Sequence, residues 1–132
     1  DLQYDNVVLT NDSNILLLDW RHCFGSSIYY GDIYYDFAKL LGGIYLNYSR
    51  IKKNQFSCSL DGSNLVYSYQ PDDYLLDHVD LLFSRSSEFN LDTIHIKRLT
   101  SLIYANMSPL HAPPFDLLLL ALSHQLYYDN LF

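Results

Sequence analysis

The chain has 132 residues, 49% of them hydrophobic, and a formal net charge of −7. That is one domain, or part of one, with enough apolar residues for a real core, and it is not a disordered tail. With 8 Lys+Arg against 15 Asp+Glu, the composition argues against a nucleic-acid or anionic-membrane surface, because phosphate binding needs clustered basic residues.

The first predicted element is a hairpin. "NVVLT" and "NILLLDW" are β-branched and leucine-rich runs separated by "NDS", which places strands at 6–10 and 14–19 around a turn. "RHCFGSSIYYG" then reads as a loop. "DIYYDFAKLLGGIYLNYSRIKK" reads as one helix, with Ile33, Phe37, Leu40, Leu41, Ile44 and Tyr48 at helical spacing, Asp32 as N-cap and Lys52 and Lys53 at its end. Gly42 and Gly43 inside it carry a propensity cost, which fits a place where another segment packs closely.

"FSCSLDGSNLVYSY" alternates around Asp61-Gly62 and predicts a second hairpin. Pro71 opens a helix through about Phe83, and Asn90 or Asp92 caps another running through about Ala105. "PLHAPP" breaks the chain, and "FDLLLLALSHQLYY" forms the last helix. The class is α+β, mostly α: hairpin, helix, hairpin, then three helices, with no internal repeat.

Other features exclude more than they assign. Cys23 and Cys58 allow one disulfide at most, and no Cys/His spacing points to zinc. The apolar runs are too short and interrupted to span a bilayer, and no signal peptide is visible, so the expectation is a cytoplasmic protein. The Asn-x-Ser triplets at Asn11, Asn47 and Asn106 carry little weight against that expectation. His22, His78, His95, His111 and His124 are scattered without ligand spacing.

Chemistry concentrates in the opening stretch. Asp1, Asn6 and Asp19 are hard oxygen ligands, and Asn6 and Asp19 stand at the two outer ends of the first hairpin. Phosphoryl transfer needs a group that orients or deprotonates the attacking hydroxyl, and oxygen ligands that hold Mg²⁺ against the phosphates. Any one of the three is more often a cap than a ligand, and it is the set that points to a site. Arg21 suits either an anion or an ion pair with Asp32 or Asp36. Asp72, Asp73, Asp77 and Asp80 read as a solvated acidic stripe, with attraction of a cationic substrate as the sharper alternative. Most of the 13 tyrosines suit core packing, and some suit a sugar or amine pocket.

The segment "DLQYDN…ILLLDW…GDIYYDFAKLL" resembles the C-lobe of the aminoglycoside phosphotransferase and choline kinase superfamily, which has the protein-kinase-like fold. Asp1 and Asn6 match its catalytic-loop motif, Asp19-Trp20 its strand-end motif, and Gly31, Asp32 and Asp36 its helix-opening motif. The match spans about residues 1–45. It is also similar to phosphotransferases of bacterial surface-polysaccharide gene clusters.

The resemblance implies that Asp1 is the catalytic aspartate, that Asn6 and Asp19 bind Mg²⁺ and through it ATP, and that Asp36 ties the helix to the catalytic loop. It implies a C-lobe over 1–132, with its catalytic-loop hairpin, helices and second hairpin. The Gly-rich phosphate loop, the strand lysine and the helix glutamate of the family have no counterpart here. The N-lobe is therefore expected to be absent, and the chain alone to hold ATP poorly. The implied partners are a nucleotide, a small hydroxyl acceptor such as a sugar or amino alcohol, and an N-lobe or other partner over the nucleotide cleft. The alternative is a kinase-like binding or scaffold module that does not catalyse.

Overall fold

The computed structural model describes residues 2–19 and 21–128. Among them it is α+β, with six α-helices and two two-stranded antiparallel sheets. A 3₁₀ turn at Tyr4–Asn6 leads into β1 (Val7–Leu9), which pairs with β2 (Ile15–Leu17) in the register Val7↔Leu17 to Leu9↔Ile15. Thr10 closes the turn: its N–H donates to the Asn14 carbonyl at 2.8 Å, and its side-chain oxygen accepts from the Asn14 N–H at 3.1 Å.

α1 (Ile33–Tyr45) starts at Asp32, whose carboxylate accepts from the Tyr34 N–H at 2.9 Å. The expected single helix to residue 53 is instead two. The backbone turns extended at Leu46 and Asn47, and α2 (Tyr48–Lys52) begins there. The physical cause is Asn47, whose side-chain oxygen accepts from the Ser49 N–H at 2.8 Å while its own N–H goes to the Tyr69 hydroxyl at 2.9 Å. Those bonds replace the ones a continuous helix would make.

β3 (Ser57–Asp61) and β4 (Asn64–Ser68) pair around the two-residue loop Gly62–Ser63, with Gly62 at φ +62. The helix expected after Pro71 is also two pieces, α3 (Asp73–Leu76) and α4 (Val79–Glu88), separated at Asp77–His78. Asn54 and Asn90 stop α2 and α4 in the left-handed conformation. In each case the two N–H groups that follow the last turn bond back to its carbonyls. Asp92 rather than Asn90 is the N-cap of α5 (Thr93–Met107), accepting from the Ile94 N–H at 2.9 Å. α6 (Phe115–Tyr128) covers the predicted last helix.

The core lies where α1, α5 and α6 pack together, around Leu41, Ile44, Ile96, Leu118 and Leu119. Small hydroxyl residues let these helices approach. Thr100 donates to the Ala38 and Ile96 carbonyls, and Ser101 to the Ser123 carbonyl. No helix among the described residues is long and apolar enough to cross a membrane.

Candidate functional site

The site is built around the 3₁₀ turn and the first hairpin. Asn6 ends the turn and is buried. Its N–H donates to the Gln3 carbonyl at 2.9 Å, and its carbonyl accepts from the Leu18 N–H at 2.7 Å. The hairpin ladder thus brings Asn6 against the residue preceding Asp19. Asp19 is exposed and sits at φ +52. The other described non-glycine residues with positive φ have an ordinary reason for it: Ser13 lies in the hairpin turn, and Asn54 and Asn90 end helices. Asp19 lies in a bend two residues past the end of β2, and aspartate is among the residues that enter the left-handed region most readily. Asp1 and Trp20 lie outside the described residues.

Asp36, one turn into α1, accepts a hydrogen bond from the Leu2 N–H at 3.3 Å. The helix is therefore tied to the backbone directly after Asp1. Arg21 donates to the Tyr35 hydroxyl at 2.7 Å, and its guanidinium lies 4.8 Å from the centre of that ring. Tyr35 is thus one partner of Arg21 across the loop.

Gly42 and Gly43 are where two segments close on α1. A methyl group on Gly43 would collide with the ring of Tyr4. Gly42 faces Tyr104, whose hydroxyl donates to the Gly42 carbonyl at 2.6 Å. Between these contacts lies a cavity of about 280 Å³. Gln3, Tyr4 and Asp5 of the turn line it on one side and Lys39, Gly42 and Gly43 on another, with α2, α3 and α5 completing the wall. Sequence reasoning did not single out Gln3, Tyr4, Asp5 or Lys39, and the glycine pair was the available signal.

Burial, and after it the nearby Arg21 charge, pulls the Lys39 pKa below its ordinary value. Burial pushes the Tyr48 hydroxyl up, and the Asp5 carboxylate adds to it. The expected acidic stripe is corrected at Asp72. That carboxylate is not on a solvated face: it holds Arg50 in an ion pair and accepts from the Asn47 side chain. Asp73, Asp77 and Asp80 are exposed.

The donor chemistry of Asn6 and Asp19 fits Mg²⁺, which is held through one or two carboxylate or amide oxygens and takes the rest of its shell from phosphates and water. No group of three His, Cys, Asp or Glu side chains among the described residues is arranged to hold a metal. An ion at Asn6 and Asp19 would thus take most of its ligands from water or from a bound anion. Comparison with protein-family models, curated proteins and solved structures finds no match to the chain.

Proposed function

We propose that this chain is the C-terminal catalytic lobe of a protein-kinase-like phosphotransferase that moves the γ-phosphate of ATP to a hydroxyl of a small metabolite in the cytoplasm. The observation that carries the reading is the Asp36–Leu2 hydrogen bond. It supports the expected role of Asp36 as the tie between the helix and the segment that begins with Asp1. The hairpin adds to it by setting Asn6 beside the residue before Asp19.

On this reading Asp1 orients or deprotonates the acceptor hydroxyl, while Asn6 and Asp19 hold Mg²⁺, which neutralises charge on the phosphates. A lobe or partner over the hairpin would complete the phosphate cradle. The second reading, a kinase-like binding module without catalysis, draws on the exposed apolar side chains of the hairpin, Leu9, Ile15 and Leu16 among them.

The test is phosphate transfer from Mg²⁺-ATP to a panel of sugars and amino alcohols by the full-length gene product. Asp1→Asn keeps shape and removes charge. It should leave ATP binding intact and lower turnover about 10²-fold or more, the scale of acid–base catalysis. Asp19→Ala should weaken Mg²⁺-ATP binding as well as turnover. Undiminished turnover in Asp1→Asn overturns the catalytic assignment, and no transfer to any acceptor favours the binding module.

A further inference from the structure

We infer that the cavity between the 3₁₀ turn and α1, α3 and α5 is a binding site for a small aromatic compound, a flat apolar ring with few polar substituents. Such a ligand is independent of the phosphotransferase reading, since neither Asn6 nor Asp19 lines the cavity. Four stretches of chain meet around it: residues 3–5, residues 38–48, α3 and α5. Protein interiors pack closely and leave few voids larger than a water molecule. The space of about 280 Å³ is what remains once the rings of Tyr4 and Tyr104 sit against Gly43 and Gly42, so the chain does not fill it by itself. An apolar cavity of roughly 150 Å³ already takes a benzene molecule, and this one has room for a substituted or fused ring.

The lining sets the ligand class. Leu46, Leu75, Ile103 and Met107 offer aliphatic and thioether surface, and Tyr48 and Tyr74 add aromatic rings. Aromatic rings pack offset or edge-on against one another, and a thioether sulfur favours an aromatic edge. The polar side chains of the lining are few, and several are engaged within the protein. Asn47 accepts from the Ser49 N–H at 2.8 Å and donates to Asp72. The Tyr104 hydroxyl donates to the Gly42 carbonyl at 2.6 Å, and the Lys39 ammonium lies 6.0 Å from the centre of the Tyr35 ring. A polyol entering this space would give up water at each hydroxyl and find too few partners in return, and a buried unpaired hydroxyl is costly. A flat apolar ring leaves no such group behind. Asp5 and Lys39 put one charge of each sign on the lining, so the walls read the apolar face of the ligand and not its net charge.

A ring seated here touches the 3₁₀ turn, α3 and α5 at once. It would hold residues 3–5 against the helical body, and a ligand that binds the folded chain alone raises its stability by mass action.

NMR titration of the protein with indole and p-cresol, against D-glucose and myo-inositol, tests the site without catalysis. The aromatic compounds should shift the Tyr4, Leu46, Leu75 and Met107 amides saturably, give nuclear Overhauser contacts to the Ile103 and Met107 methyl groups, and raise the melting temperature. The polyols should do none of these. Met107→Trp places a ring of its own in the cavity and should weaken indole binding about tenfold or more. Tyr74→Ala, at an exposed position, should weaken it about two- to tenfold, the scale of one aromatic contact, and guards against a folding failure in the first variant. Polyol binding as tight as that of indole, aromatic shifts confined to another surface, indole binding that both variants leave unchanged, or no shift with any probe overturns the inference. Shifts of the same amides that follow protein concentration without any probe would show a second copy filling the cavity, and overturn it as well.

Discussion

At the scale of single residues, a few side chains connect segments far apart in sequence. Asp36 reaches the Leu2 N–H across 34 positions of chain, and Thr100 and Tyr104 reach carbonyls on α1 across 62. Gly43 does the converse, since its missing side chain leaves room for Tyr4. Asp36 is the residue whose loss is most informative. Without its carboxylate the Leu2 N–H loses an acceptor in a partly buried place, where an unsatisfied donor costs about 1–3 kcal/mol. Asp36→Ala should therefore lower the urea midpoint by that equivalent with an unchanged slope. Asp36→Asn, which keeps an oxygen, should recover part of the loss. An unchanged midpoint in Asp36→Ala would show that the tie contributes nothing to stability.

At the scale of elements, what sequence reasoning reached and what it missed follow from the range of the forces involved. Helix α6 and both hairpins were legible because their signals are local: apolar runs, the Asp-Gly turn and the break at "PLHAPP". The N-cap at Asp32 was legible for the same reason. The interruptions at Asn47 and at Asp77–His78 were not, because apolar spacing runs straight through both. At Asn47 the deciding bonds come partly from Tyr69 and Asp72, more than 20 residues on. Asp72 looked like one of four similar aspartates until the fold set it against Arg50. Hydrogen bonds from Arg50 and then from Asn47 hold its carboxyl below its ordinary value of 3.8. A depressed carboxyl contributes stability above that ordinary value and loses it as pH falls through the lower, folded one. Asp72→Asn should accordingly lower the melting temperature at pH 7. The gap between variant and parent should narrow as the pH drops below about 4, where the parent carboxylate also takes up its proton. A gap of the same size at pH 7 and pH 2.5 would show that the Arg50 pair is not its source.

At the scale of the molecule, α1, α5 and α6 hold a packed core while the first hairpin stands at its margin with most of its apolar side chains exposed. The core is rich in tyrosine, which couples the whole fold to alkaline pH. Burial pushes the hydroxyls of Tyr45 and Tyr104 well above their ordinary value of 10.0, and raises those of Tyr4, Tyr48 and Tyr69 as well. A raised pKa means that the unfolded chain gives up the proton first. The stability these groups contribute is intact below about pH 10 and drains away as the pH climbs through the folded values. Ionisation of Tyr104 would also remove the proton it donates to Gly42, at the helix contact that shapes the cavity. The 295 nm absorbance of tyrosinate should therefore rise later in the native protein than in the urea-unfolded chain. The delayed part should coincide in pH with the loss of helical circular dichroism at 222 nm, as one cooperative transition. Tyr104→Phe keeps the ring and removes the ionising group, so it should move that transition to higher pH relative to its own stability at pH 7. Superimposable titrations of native and unfolded protein would mean that these hydroxyls are open to solvent and that the packing of α1 against α5 is not as described.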